Sequence, residues 1–299
     1  MATDQRASVA TRPDEFAPTP DNEQTWSTTG EQSWTSSLPM IIAWRVLLVG
    51  GFLALWEWLP KVPNIAKHVV FLDPFFISSP SLIAKRLWQV VTGADGTPLI
   101  WPPFLFTVVT ALIGTAIAII IGTLGGLLLS NSATLERVLR PIIVALNAVP
   151  RIAMVPIVVL LAGSSSRSDI ITAVTVVVFL VFYNALEGGR SVPQEMIDNA
   201  KVMGAGSWSI MRRVRLPLVL AWVSASIPNA IAFGLVGSVT TEIFSGAQGI
   251  GQLLGAAVDT ADATLTFTVV VVLTIVGVTL VVGSNILQRR LLPWWNAHL

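Results

Sequence analysis

Four stretches of this 299-residue chain run for a membrane-crossing length, or close to it, without one charged side chain: 104–129, 170–186, 216–241 and 263–288. A hydrocarbon core ~30 Å thick takes ~20 apolar residues of helix to cross, and only a helix or a closed barrel satisfies its own backbone there. The stretch 170–186 is short, so it must stand upright or borrow its flanks. Two further stretches carry single charges. Residues 40–59 hold Arg45 near one end and Glu57 near the other, where each can snorkel to an interface. Residues 141–163 hold Arg151 close to the middle, where a charge is expensive. The expected fold class is an all-α membrane protein with six transmembrane helices.

Composition agrees, since 53% hydrophobic and 12% charged residues do not describe a water-soluble domain. The net charge of +1 gives no electrostatic handle for nucleic acid, so none is expected as a partner. With no cysteine there is no disulfide, thiolate metal site or cysteine nucleophile, and no metal site is expected. The eleven tryptophans fit interfacial anchors in a lipid bilayer.

Residues 1–38 are polar, rich in Thr, Ser, Pro and Gln, with six acids and no apolar period; they read as a disordered tail ahead of a membrane domain over 39–299. The chain lacks the basic start and short apolar core of a cleavable signal, so the first helix is expected to stay. If six spans place both ends on one side, that side collects eleven Lys/Arg and the other five, so both termini are expected to be cytoplasmic.

The connection after the fourth span, 187–217, is too long for a plain loop and carries helix punctuation. Ser191 and Gln194 have the spacing of a capping box, with Pro193 suited to the first turn. Gly204 suits a left-handed stop, Ser207 suits the next cap, and Pro217 marks the join to the fifth span. Met196, Ala200 and Met203 are expected on one apolar face, beside Asp198 and Lys201.

These residues carry a resemblance. Asp198-Asn199-Ala200, three residues, Gly204, nine residues, then Val214-Arg215-Leu216-Pro217 resembles the EAA loop of ABC-importer permeases, Glu-Ala-Ala, three residues, Gly, nine residues, Ile-x-Leu-Pro. The spacing is kept; Asp198, Asn199 and Val214 depart from the usual residues. The likeness extends over roughly 75–295, through Ser78-Ser79-Pro80-Ser81, Pro150, Pro156 and 242–251, and is to the nitrate, sulfonate and taurine branch.

The resemblance implies a five-helix importer core plus one N-terminal helix in the inner membrane. It implies an ATPase-coupling loop at Asp198, Asn199, Ala200, Lys201, Gly204, Val214, Leu216 and Pro217, docking on separate ABC ATPase subunits. It also implies a second permease subunit, identical or not, and a solute-binding protein. No cofactor is expected on this chain; ATP and Mg belong to the partner ATPase. No GxxxxGK[ST] is present, and His68 and His298 lie far apart with no HExxH or GxSxG, so the chain is not read as an enzyme.

Candidates for a substrate path are Asn147, Arg151, Tyr183, Asn184, Asn229, Ser238 and Thr241, although helix-to-helix hydrogen bonds explain the uncharged ones equally well. Arg151 would suit a small anion. Glu242 is a candidate periplasmic gate, or an acid at the water interface. Gly122 and Gly126 make a GxxxG pair that permits close helix contact, and Gly246, Gly249 and Gly251 read as a re-entrant or tight loop rather than a nucleotide site. The alternative is a secondary transporter or channel, which calls for ionisable groups within the spans; Arg151 is the only deep charge in this reading.

Overall fold

The computed structural model describes residues 38–61 and 77–291; the expected tail before Leu38, with His68 and His298, lies outside the described residues. The chain divides into two units, Met1–Ala54 and Leu55–Leu299. Most of helix α1 (Leu38–Trp58) belongs to the first, and its large apolar side chains, among them Ile42, Val46, Leu47 and Phe52, are exposed on all sides, as for a lipid-facing helix.

The regular structure among the described residues of the second unit is all helix. It comprises α2 (Pro80–Thr92), α3 (Trp101–Ser130), α4 (Ala133–Ala148), α5 (Val155–Ala162), α6 (Ser166–Arg190), α7 (Gln194–Val202), α8 (Ser207–Ser245), α9 (Ile250–Asp259) and α10 (Ala263–Leu291). Among the described residues five helices are long and apolar enough to cross a membrane, and α4 with α5 makes a sixth crossing if the bent pair counts as one. The chain is therefore a multi-pass membrane protein. The end of α1 contributes here: Glu57 pairs with Lys61 and accepts the Ser81 backbone N–H at 3.0 Å, so it caps the first turn of α2 rather than only reaching for an interface.

Helices α3, α6 and α8 form the centre, around Ala118, Val177, Val181, Ala185, Val219 and Val223. Small residues allow this. A methyl added to Gly122 would lie 2.8 Å from the Val178 carbonyl oxygen, and one added to Gly126 would lie 2.6 Å from that of Phe182. The GxxxG pair is thus a contact face, joined by Gly114 on the same side of α3. Lipid tails are as apolar as leucine, and a hydrogen bond between spans averages only about 0.6 kcal/mol, so close backbone packing holds these helices. A second cluster, with Val90, Ile100, Leu235, Ile250, Val269 and Val272, seats α2, α9 and α10 against α3 and α8.

One expectation about the spans holds and one changes. The short stretch 170–186 borrows its flanks, as the middle of a 25-residue helix, α6. The stretch 141–163 is not one helix. It breaks between α4 and the turn ahead of α5, with a bend of 74°. Val149 precedes Pro150 and is extended, at φ −64° and ψ 126°, as the proline ring demands of its predecessor. Pro156 sits in the first turn of α5, where its missing N–H costs nothing.

Candidate coupling element and translocation path

Helix α7 and the start of α8 fold back on a small core of their own, Val192, Ile197 and Ile210, with Ala200, Val214 and Leu218 packed around it. Gly204 has φ +81° and its N–H donates to the Lys201 carbonyl at 2.9 Å, so the left-handed stop is where the sequence put it. The Ala205 N–H reaches back to the Ala200 carbonyl, also at 2.9 Å, closing the end of α7. The capping expectations fail. The Ser191 hydroxyl donates backwards to the Gly188 carbonyl at 3.0 Å, Pro193 takes the cap position ahead of the helix, and Gln194 donates to Asp198 instead. Ser207 is the first helical residue, after Gly206, and makes no cap bond.

The expected apolar face is also redistributed. Ala200 turns inward with Ile197, whereas Met196, Val202, Met203 and Trp208 point outward, the last three 88%, 80% and 76% exposed. Asp198, Asn199 and Lys201 are exposed beside them. Lys201 and Gln194 both donate to Asp198 at 3.0 Å, and these bonds, Lys201 first, hold its carboxyl below the usual range. Val214 and Leu216 are half-buried, and Pro217 lies in the first turn beyond a π-helical turn, Met211–Arg215, that makes the element continuous with the span. Arg215, which sequence reasoning passed over, donates to the Ser130 carbonyl at 3.0 Å and to Asn131 at 2.8 Å, tying the element to the end of α3.

Of the path candidates, the structure brings Asn147 and Arg151 together at the α4–α5 break. Arg151 donates to the Asn147 side chain and, at 3.3 Å, to its carbonyl, and lies 5.1 Å over the Phe179 ring of α6. Arg151 is therefore at a break, not in the middle of a continuous span. Tyr183, one turn beyond Phe179, is half-buried; Asn184 donates to its own helix at the Leu180 carbonyl; Asn229 is exposed beside Pro228 of α8. Ser238 and Thr241 are wholly buried, Thr241 bonded to the Gly237 carbonyl.

Glu242 is not at a water interface; it is 0% exposed. Its Oε2 accepts from the Thr107 hydroxyl at 2.9 Å and the Gly251 N–H at 2.8 Å, while Thr107 accepts the Ile250 N–H at 2.9 Å. Gly246 at φ +65° ends α8, and Gly249 lies so close that a methyl there would overlap the Glu242 carboxyl. The tight loop is thus a turn feeding the N-terminus of α9, clamped by Glu242. Asp169, also 0% exposed, was missed because the uncharged stretch begins one residue later; Arg151 is not the only ionisable group within the spans.

The described residues thus form a bundle of membrane-length apolar helices with a packed element between two of them that turns apolar side chains outward. The chain belongs to the family described as binding-protein-dependent transport system inner membrane component, whose profile matches residues 114–296. It is 31% identical to the riboflavin transport system permease protein RibX of Chloroflexus aurantiacus over 220 residues, 74% of this chain and 81% of that one. It is 25% identical to the taurine transport system permease protein TauC of Escherichia coli over 225 residues, 75% of this chain and 82% of the other. The fold matches a crystal structure of the MetNI methionine ABC transporter in an inward-facing conformation, with TM-score 0.52 and 20% identity over 71% of this chain and 96% of that one. The chain is a permease subunit of the ABC-importer type, of the nitrate, sulfonate and taurine-like branch.

Proposed function

We propose that this subunit works in the inner membrane with both termini in the cytoplasm, where α7 and the start of α8 dock on a separate ATPase that binds ATP and Mg. The observation that carries this is the outward face of Met196, Val202, Met203 and Trp208 on a packed base. An exposed apolar patch on an ordered mount calls for a protein partner, whereas a lipid-lying helix needs no base. Asp198, Asn199, Ala200, Lys201, Gly204, Val214, Leu216 and Pro217 are the coupling residues in this reading. A second permease subunit completes the translocation path, and a solute-binding protein delivers the cargo. Asn147 and Arg151, with Tyr183 nearby on α6, are its candidate contacts. A guanidinium at a helix break suits a small organic or inorganic anion. Asn184, Asn229, Ser238 and Thr241 remain path candidates and Glu242 a gate candidate.

The test is co-purification of the tagged protein with its ATPase, native against Gly204→Pro. Proline holds φ near ~−65° and has no N–H, so it forbids both the +81° turn and the bond to Lys201. The expected outcome is that native protein retains the ATPase and the variant, present in the membrane at equal level, loses it. Failure of the native chain to retain any ATPase would move the reading to a transporter that works without one.

A further inference from the structure

The contacts between α6 and α8 share one antiparallel register. A methyl on Gly188 would lie 3.1 Å from the Val219 Cα, and one on Gly237 would lie 3.1 Å from the Ala173 Cα and 3.5 Å from the Thr172 carbonyl carbon. Carried one turn further, that register sets Thr172 against Ser238 and Asp169 against Thr241 and Glu242. All these side chains are at most 1% exposed. Five oxygens among them have no hydrogen-bond partner: both of the Asp169 carboxyl, the Thr172 and Ser238 hydroxyls, and Oε1 of Glu242.

Two buried acids in such a place carry a charge that nothing described nearby offsets. Helix α3 has no charged residue, α5 has none, and α8 beyond Arg215 has only Glu242. On α2 Lys85 is exposed and Arg86 pairs with Asp262, just ahead of α10, at 3.5 Å; on α6 Arg167 is exposed; on α9 Asp259 is exposed and of the wrong sign; on α10 Arg289 and Arg290 sit at the far end. The N-terminus of α9 serves Oε2 of Glu242 through Gly251 but leaves Asp169 unserved. Burying uncompensated carboxylates is costly enough that such groups acquire a counter-ion or a proton. The free groups are all oxygens, the hard ligands that a proton or an alkali-metal ion takes.

We propose that Asp169, Thr172, Ser238 and Glu242 form a binding site for one monovalent cation, a proton or an alkali-metal ion, that joins α6 to α8 at the end of the bundle remote from α7. This holds whatever partner α7 meets, because the site is made by this chain alone. The ion is a fastener between two helices: with it, the ends of α6 and α8 stay together beneath the α9 turn; without it, two like charges push them apart.

The experiment is thermal unfolding of the full-length protein in lipid nanodiscs, in sodium chloride and in choline chloride, across a pH series from mildly acidic to mildly alkaline. The expected result is an unfolding midpoint that rises by several degrees either with sodium at alkaline pH or with acidification in choline, and a D169N/E242Q variant indifferent to both. T172V/S238A distinguishes the sources: it loses the sodium response if the ligand is a metal and keeps the acid response if it is a proton. If the double carboxamide does not accumulate, D169N alone, which keeps both bonds to Glu242, is expected to respond to sodium and to acid less than the native does, since one carboxyl remains. A native midpoint unmoved by sodium and by pH, or a carboxamide variant that responds as the native does, overturns the proposal.

Discussion

At the Ser207 end of α8, apolar side chains stand in the open and the acid Asp198 has Lys201 within hydrogen-bond reach; at the Ser245 end, acids and hydroxyls are enclosed and no basic residue described in the structure reaches them. One helix therefore carries two departures from ordinary burial, in opposite senses. An exposed Trp208 costs the isolated chain little and becomes useful only against a second surface. An enclosed Glu242 is costly at once, and the Thr107 and Gly251 donors offset part of that cost within the same molecule. The first end is built for something outside; the second is held from within.

The comparison breaks most readily through the packing that both ends depend on. Gly126→Val forces a side chain into a place where even its Cβ lies 2.6 Å from a backbone oxygen, so neither end survives. The expected loss is more than the usual 1–3 kcal/mol of overpacking, read as disappearance of folded protein in fluorescence-detected size exclusion. Glu242→Ala strikes the enclosed end alone. It strands the Gly251 N–H, while the Thr107 hydroxyl keeps the Pro103 carbonyl at 3.1 Å, and is expected to cost about 2 kcal/mol in denaturant unfolding, with ATPase binding still measurable.

Trp208→Ala should do the reverse. At 76% exposure the side chain adds little to stability, so unfolding stays as in the native chain while affinity for the ATPase falls about tenfold in a binding titration. The smallest effect is expected at Asp198. Its carboxyl is held below the usual range by Lys201 and Gln194, so the contribution is present above the ordinary carboxylate pKa and lost as pH falls through the lowered folded-state value. The group is fully exposed and screened, so Asp198→Asn should leave the unfolding midpoint unchanged at neutral pH.

What could be seen in the sequence was whatever is written in local spacing. The intervals from Asp198 to Pro217, the left-handed Gly204 and the uncharged spans are properties of neighbours along the chain. The failures lie where a side chain chooses between near and distant partners. Ser191 bonds backwards to Gly188, although its spacing to Gln194 fits a forward cap equally well. Glu242 ends an uncharged run, which by itself suggests water; only Thr107, 135 positions away, and the return of Gly251 show it enclosed. Pro150 and Pro156 stand out in the third span, but a six-residue interval does not reveal a 74° bend, which the extended Val149 makes. Asp169 escapes a search for uncharged runs because the run begins one residue later, at Ile170.

The π turn at Met211–Arg215 sets the compass bearing of the docking arm. Such a turn holds one residue more than an α turn, and each residue of helix advances the azimuth by about 100°. Were it rewound as plain α-helix, Trp208 would swing by about a quarter of a circle while every contact beyond Leu216 stayed in place. The heading at which a partner is met is thereby adjustable independently of the membrane half, by the gain or loss of a single residue.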